Sequence, residues 1–505
     1  MTGILRQNRS LLVALGVVAL VVFWLTQQYE PRVTASILLS GLTLGALFFL
    51  VTSGLSLIFG LMDVLNFAHG LFFMIGAYFG YTLYANPRMI LNALPFALAM
   101  GGGIAIGGYI AALLRSASLS PTIERVVTGG LIGLGGALFL AGVWGFDLLT
   151  LAASGATATG GEVATDVAQE ASSTFLVRLV LLAASGLLIG FALARRQRGT
   201  SRIALPTWRG LAGGLAAIVL AVALTYWRTP GEEFILGLSS NLRFVLALVV
   251  GGLGGAALGA LVEWSMIRPL YSRPIYQVLL TLGLVFVGTE VVKSIWGPTA
   301  YFMEMPSFFN TRGPNCPSPN LLAFLQDNCA SIDVLGRPFP SYRIFIIALG
   351  IVVFAAVALL LRRTRMGMII RAGVQDRDMV QALGINVRRV FTLVFALGTG
   401  LAALGGVAAA PFVGVNPGLG QEFILLAFIS VVIGGMGSYS GAALGALLVG
   451  LARAVGDQLV LSGIHLPGIE EAVKLSPSIA RASTVLLMAA VLLIRPAGLF
   501  GKKDT

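Results

Sequence analysis

Long apolar runs, separated by short polar stretches, repeat along this chain. They fall at 11–26, 36–61, 65–84, 93–114, 126–149, 175–194, 209–228, 242–262, 276–296, 343–361, 390–410, 422–436, 440–460 and 483–495. Most approach the roughly 20 residues that an apolar helix needs to cross a bilayer, and there are about fourteen of them. The pattern predicts an all-α polytopic membrane protein.

Two interruptions stand out. Within 36–84, two apolar segments meet at Asp63-Val64-Leu65-Asn66-Phe67-Ala68-His69-Gly70. The segment from Phe423 likewise breaks at Gly434-Gly435-Met436-Gly437-Ser438 before a small-residue helix. Glycine-flanked breaks of this kind let transporters expose backbone groups to a solute, and a pair of them in opposite halves of a chain is the weak symmetry of a transporter. Discontinuous helices are therefore expected at both. An ordinary tight turn, with Asp63 and Asn66 capping the next helix, is the alternative at the first.

Between the last two groups of spans lies a polar island, Arg371–Asn386, reading RAGVQDRDMVQALGIN. Met379, Ala382 and Leu383 recur at i, i+3, i+4, with Asp376, Arg377 and Asp378 away from them, which predicts a short amphipathic helix. Gly384 follows where a left-handed cap is needed. On residue pattern alone, a solvated loop helix accounts for this segment.

Composition agrees with the pattern. Hydrophobic residues make up 57% and charged residues 11%, against about 25% charged in soluble domains. The 64 glycines suit close helix packing in lipid. The net charge of +12 is topological. With the N-terminus and its Arg6 and Arg9 placed inside, Arg195, Arg196, Arg198, Arg202 and Arg362, Arg363, Arg365 also fall on the cytoplasmic side. That positive-inside bias leaves no polyanion site, so no nucleic-acid partner is expected. Segment 11–26 follows the arginines as a signal peptide would, but Thr26–Pro31 is a poor cleavage site, so it is kept as a membrane anchor.

Charged residues within the spans look self-neutralising. Glu290 and Lys293 pair at i, i+3, Arg453 and Asp457 at i, i+4, and Glu263 lies near the cytoplasmic end of its helix with Arg268 snorkelling beside it. An ion-coupled transporter would instead place an acidic residue unpaired at mid-span. Cys316 and Cys329 both fall in the long external loop 297–342, where a disulfide is the leading reading and two free thiols the alternative. The loop itself is long enough to form part of a docking surface. His69 and His465 are far apart, and the chain carries no GxxxxGK[ST], HExxH or GxSxG. No catalytic residue, metal site or cofactor is expected.

Three blocks together resemble the membrane-spanning permease subunits of branched-chain amino acid ABC importers of the LivH type. They are Gly41–Tyr78 with NFAHG at Asn66–Gly70, the island Arg371–Asn386, and GGMGSYSGAALGALLVG at 434–450 followed by RPAGLFG at 495–501. The likeness covers about 34–90 and 242–501 and implies an ABC importer permease fold. Residues 1–35 would then be an N-terminal cytoplasmic end with an extra span, 36–90 and 242–501 the permease core, and 91–241 an inserted four-helix unit. The resemblance implies that 362–389 docks on a separate ATPase, with Ala382, Leu383, Gly384 and Ile385 in apolar contact and charges such as Arg371 and Asp376 orienting the helix. It also implies a translocation path lined by Asn66, Phe67, His69, Gly70, Gly434, Gly435, Gly437 and Ser438. The implied partners are ABC ATPase subunits, a second permease subunit, an extracytoplasmic solute-binding protein, a small-molecule substrate and membrane lipid. The setting would be a prokaryotic plasma membrane with both termini cytoplasmic. Urea and short-amide permeases of the same family, and an ion-coupled secondary transporter, are the alternative readings.

Overall fold

The computed structural model describes residues 16, 18–62, 65–114, 120–144, 146, 172–196, 208–271, 273–375, 377–463 and 476–501. The chain enters as helix α1 (Val18–Gln28). There follow α2 (Pro31–Met62), α3 (His69–Ala85), α4 (Pro87–Leu113), α5 (Pro121–Val143) and α6 (Ser172–Arg196). Next come α7 (Trp208–Tyr226), α8 (Arg228–Gly237), α9 (Ser240–Val262) and α10 (Pro274–Trp296). Helix α11 (Leu321–Asp327) and strands β1 (Ser331–Val334) and β2 (Arg337–Pro340) precede α12 (Ser341–Arg363). The remainder is α13 (Arg365–Gln375), α14 (Arg377–Ala382), α15 (Val387–Val413), α16 (Leu419–Gly434), α17 (Tyr439–Ser462) and α18 (Pro477–Ile494).

Among the described residues, 9 helices are long and apolar enough to cross a membrane, or 10 if α7 and α8, bent by 71°, form one span. The chain is thus an all-α polytopic membrane protein, but the expected fourteen segments are not fourteen full spans. The shortfall has a local cause. Helix α3 has 17 residues because it starts only after the polar break, and α16 has 16 because Gly435, at φ 100°, ends it. The apolar part of α18 is the short stretch Arg481–Ile494, and residues 11–15 and 17 of the first predicted span lie outside the described residues.

Two compact units are formed: Met1–Tyr81 with Ser240–Ser294 and Pro298–Thr505, and Thr82–Ser239 with Ile295–Gly297. In the first, α2 is the central helix, packed by α12, α15, α16 and α17. Lipid tails are as apolar as leucine, so burial of apolar surface does little to pull such helices together; close packing does. The glycines permit it. A Cβ on Gly54 would lie 2.1 Å from the Gly398 carbonyl oxygen, and one on Gly76 would lie 2.2 Å from that of Ala403. Helix α2 therefore meets α15 backbone to backbone, and so does α3.

In the second unit α4 is central, flanked by α6 and α7, with α5 on the far side of α6. Its glycines mesh with those of α6: a Cβ on Gly103 would lie 2.1 Å from the Ala183 oxygen, and one on Gly186 2.2 Å from that of Met100. At the bend between α7 and α8, buried Arg228 donates to Asn92 Oδ1 at 3.1 Å and lies 3.9 Å over the Phe175 ring. Arg88 and Glu232 pair nearby in sequence at 2.9 Å. These contacts sit beside a small apolar core of Ala99, Phe175, Leu179 and Ala221.

The segment between α10 and α12 is folded rather than a bare connection. Strands β1 and β2 pair antiparallel through Val334↔Arg337, with Leu335 and Gly336 both at positive φ in the two-residue turn. Cys316 and Cys329 are joined as a disulfide. Phe309 sits under the segment against Phe324, Tyr342 and Phe345.

Candidate functional site

The two glycine-flanked breaks lie against each other. A Cβ on Gly60, near the end of α2, would come 3.3 Å from Gly437 Cα. Beyond α2, Leu65–Phe67 leads into α3, and the Asn66 amide is 2% exposed with neither Oδ1 nor Nδ2 hydrogen-bonded among the described residues. Leaving such a group unmade costs about 1–3 kcal/mol. Asn66 lines a cavity of about 10 Å³ with Leu55, Phe67, Ile424 and Phe428. That is room for roughly one water. Phe67 stacks on Phe428 with centroids 6.3 Å apart, and both rings line the cavity.

The other residues expected along a path are placed differently. His69 is fully buried, its Nε2 3.0 Å from the Val51 carbonyl oxygen and its Nδ1 without a partner among the described residues. Gly70 packs on α16, where a Cβ would meet the Gly420 oxygen at 2.1 Å. Gly434 and Gly435 receive the C-terminal segment instead: Leu499 N–H donates to the Ile433 oxygen at 2.9 Å, and Phe500 N–H to that of Gly434 at 3.0 Å. A Cβ on Gly435 would sit 2.3 Å from Gly501 N, so the RPAGLFG stretch needs a glycine there. Ser438 caps α17, its Oγ accepting from Gly441 N–H at 3.1 Å. The eight residues thus divide into one cavity-facing pair, Asn66 and Phe67, and six that pack or cap.

The polar island forms the end of α13 and all of α14. Helix α14 closes with paired bonds, Ile385 N–H to the Val380 oxygen at 3.3 Å and Gly384 N–H to that of Gln381 at 2.9 Å. With Gly384 at φ 78° this is a Schellman cap, which only a residue tolerant of left-handed φ completes. Val380 points into the protein, while Met379 is 60% and Leu383 71% exposed. Ala382, Gly384 and Arg371 are also exposed, and Ile385 half-buried. Asp376 lies outside the described residues. Asn386 then caps α15, its Oδ1 accepting from Arg389 N–H at 3.2 Å.

Among the in-span charges, Lys293 and Glu290 pair at 2.7 Å and Arg453 and Asp457 at 3.1 Å. Glu263 lies at the end of α9, as its sequence reading has it, but its burial there was not expected. It is fully buried in a single π-turn, Glu263–Ile267, that continues α9. One carboxylate oxygen accepts from the Tyr271 hydroxyl and the other has no partner among the described residues. Hydropathy could not show this burial, because the α-helix gives way at Glu263 to a π-turn and a 3-10 turn, and what they pack against is set by tertiary structure. Arg343, which lines a common cavity with Asp457, was not singled out, and Asp457 was read only as the partner of Arg453. The signal for that cavity is Ser36, Ser40 and Thr43, which recur on one face of α2.

Comparison with known proteins bears on this arrangement. The family described as "Branched-chain amino acid transport system / permease component" matches residues 189–495. The chain is 27% identical to the high-affinity branched-chain amino acid transport system permease protein LivH of Escherichia coli over 292 residues, covering 54% of this chain and 85% of that protein. It is 33% identical over 163 residues to the corresponding permease protein BraD of Pseudomonas aeruginosa, covering 32% of this chain and 48% of that one. The fructose import permease protein FruF of Bifidobacterium longum is 29% identical over 225 residues, or 43% of this chain and 55% of its own. No solved structure matches. The family match runs from within α6 through α18, which takes in α7 and α8 as well as the π-turn, the island and the second glycine break, and on that extent the chain belongs to the branched-chain amino acid transport system permease family.

Proposed function

We propose that this chain is the membrane-spanning permease subunit of an ATP-driven importer for branched-chain or other small amino acids, working by alternating access with ATP hydrolysed by a separate subunit. The observation that carries this reading, beside family membership, is α14. A short helix with a rigid Schellman end presents Met379 and Leu383 outward, 60% and 71% exposed. Exposed apolar side chains on a capped, rigid turn suit docking in a groove of a partner.

In this reading Ala382, Leu383, Gly384 and Ile385 contact the ATPase, and Arg371 and Asp376 orient the helix. Asn66 and Phe67 lie on the solute path, with Phe428 stacked on Phe67 beside it. A second permease chain and an extracytoplasmic solute-binding protein complete the complex. Both termini and α13–α14 face the cytoplasm of a prokaryote, as the arginine distribution supports. Residues 91–241 are an inserted four-helix extension, of which the family match at 189–495 leaves 91–188 outside the common permease sequence.

The test is capture of ATPase subunits by the purified chain, comparing wild type with Leu383→Asp and with Gly384→Pro. Leu383 is 71% exposed, so Leu383→Asp should insert and purify normally while ATPase capture falls by at least about tenfold, or 1.4 kcal/mol. Undiminished capture by both variants would sink the docking assignment.

A further inference from the structure

A second, larger cavity of about 280 Å³ lies at the opposite end of the helices from α14. Its walls come from the first part of α2, the first turn of α12, the last turn of α15 and the last turns of α17. Since α2 and α12 begin where α15 and α17 end, all four contributions lie at one membrane face. That face also carries the disulfide-bonded segment, because α12 starts directly after β2.

The charges on the walls are unevenly matched. The Arg343 guanidinium donates to Ser40 Oγ at 3.2 Å and lies 5.0 Å from the Phe412 ring centre, but no carboxylate among the described residues pairs with it. Among the described residues, Asp457 has a cation partner only from its own helix, Arg453 Nε at 3.1 and 3.2 Å, which leaves lone pairs on its two oxygens. A planar guanidinium without an anion is a ready fork for a carboxylate, and a carboxylate with spare lone pairs accepts an ammonium. Between them the wall is apolar at Leu44 and Leu461. The volume falls just short of the ~300–1,000 Å³ of drug-sized ligand pockets, which suits a smaller molecule.

We propose that this cavity is a binding site for a zwitterionic α-amino acid with an aliphatic side chain. Arg343 takes the carboxylate, Asp457 the ammonium, and Leu44 with its apolar neighbours the side chain. This rests on the amino-acid importer reading and adds a substrate station distinct from the Asn66 break. The zwitterionic headgroup of phosphatidylethanolamine presents related chemistry, so the test separates the two sources.

The full chain, reconstituted in phosphatidylglycerol nanodiscs, is titrated with labelled L-leucine, with 4-methylpentanoate, which lacks the ammonium, and with glycerophosphoethanolamine. Wild type should bind leucine. Arg343→Gln should weaken leucine by at least about tenfold, with partial recovery in Arg343→Lys, which keeps the charge and guards against misfolding. Asp457→Asn should weaken leucine but leave 4-methylpentanoate unchanged. ATPase capture is measured in parallel on every variant. If capture holds while wild type binds no leucine, or binds it as well in Arg343→Gln, the cavity assignment is overturned and the permease reading survives. Loss of capture in wild type overturns both. Arg343-dependent binding of glycerophosphoethanolamine in place of leucine makes this a lipid headgroup site and likewise ends the proposal.

Discussion

Asn66 shows what a single residue can reveal in a helix bundle. Burying an amide with neither end bonded opposes folding by about 1–3 kcal/mol, and hydrocarbon-depth polar groups are otherwise rare. Asn66→Leu removes that penalty at similar volume. We expect the variant to melt at the same temperature as wild type or higher, while solute uptake by the assembled transporter drops at least about tenfold, a stability–function trade of the usual kind. A clear fall in melting temperature would instead make Asn66 a structural residue. Glu263 poses a related question at the end of α9, where a π-turn, a feature frequent at functional sites, buries a carboxylate against Tyr271.

At the scale of helices, the bundle depends on where side chains are missing. Helix α3 approaches α15 so closely at Gly76 that a methyl group would displace the Ala403 backbone. Gly76→Ala should lower stability by about 1–3 kcal/mol through overpacking. Gly283 in α10 meets nothing within 4 Å, so Gly283→Ala should be neutral or stabilising by up to about 1 kcal/mol from helix propensity. Thermal unfolding of the two variants side by side would expose the contrast. Equal effects would mean that the close approach does not govern stability.

At the scale of the whole molecule, the described residues place the disulfide-bonded segment and the island Arg371–Asn386 at opposite ends of α12. With the positive-inside rule this predicts an orientation that labelling can test. In a background with Cys316 and Cys329 replaced by serine, Leu322→Cys, at a position 75% exposed, should react with an impermeant maleimide added outside intact cells. Leu383→Cys, at a position 71% exposed, should react only after the cells are opened. The reverse labelling would invert the topology and remove α14 from the cytoplasm.

Periodicity and composition were enough to specify the class of this protein, because a bilayer demands long apolar helices whatever they pack against. The same local reasoning reached the capped helix in the island, since Gly384 and the i, i+3, i+4 pattern are short-range features, and it reached the Glu290–Lys293 and Arg453–Asp457 pairs for the same reason. It overcounted full spans, because hydropathy windows do not see where Gly435 or the Asn66 turn stops a helix. It also could not sort the glycines of the breaks: Gly434 and Gly435 make room for the C-terminal RPAGLFG, far away in sequence, while Asn66 alone presents an unbonded amide to a cavity. Which polar groups face space and which face backbone is decided by helix–helix register. So is the meeting of Arg343 with Asp457 at one cavity, from helices that no local pattern links. Those are long-range choices, made when the helices pack, and only the tertiary structure contains them.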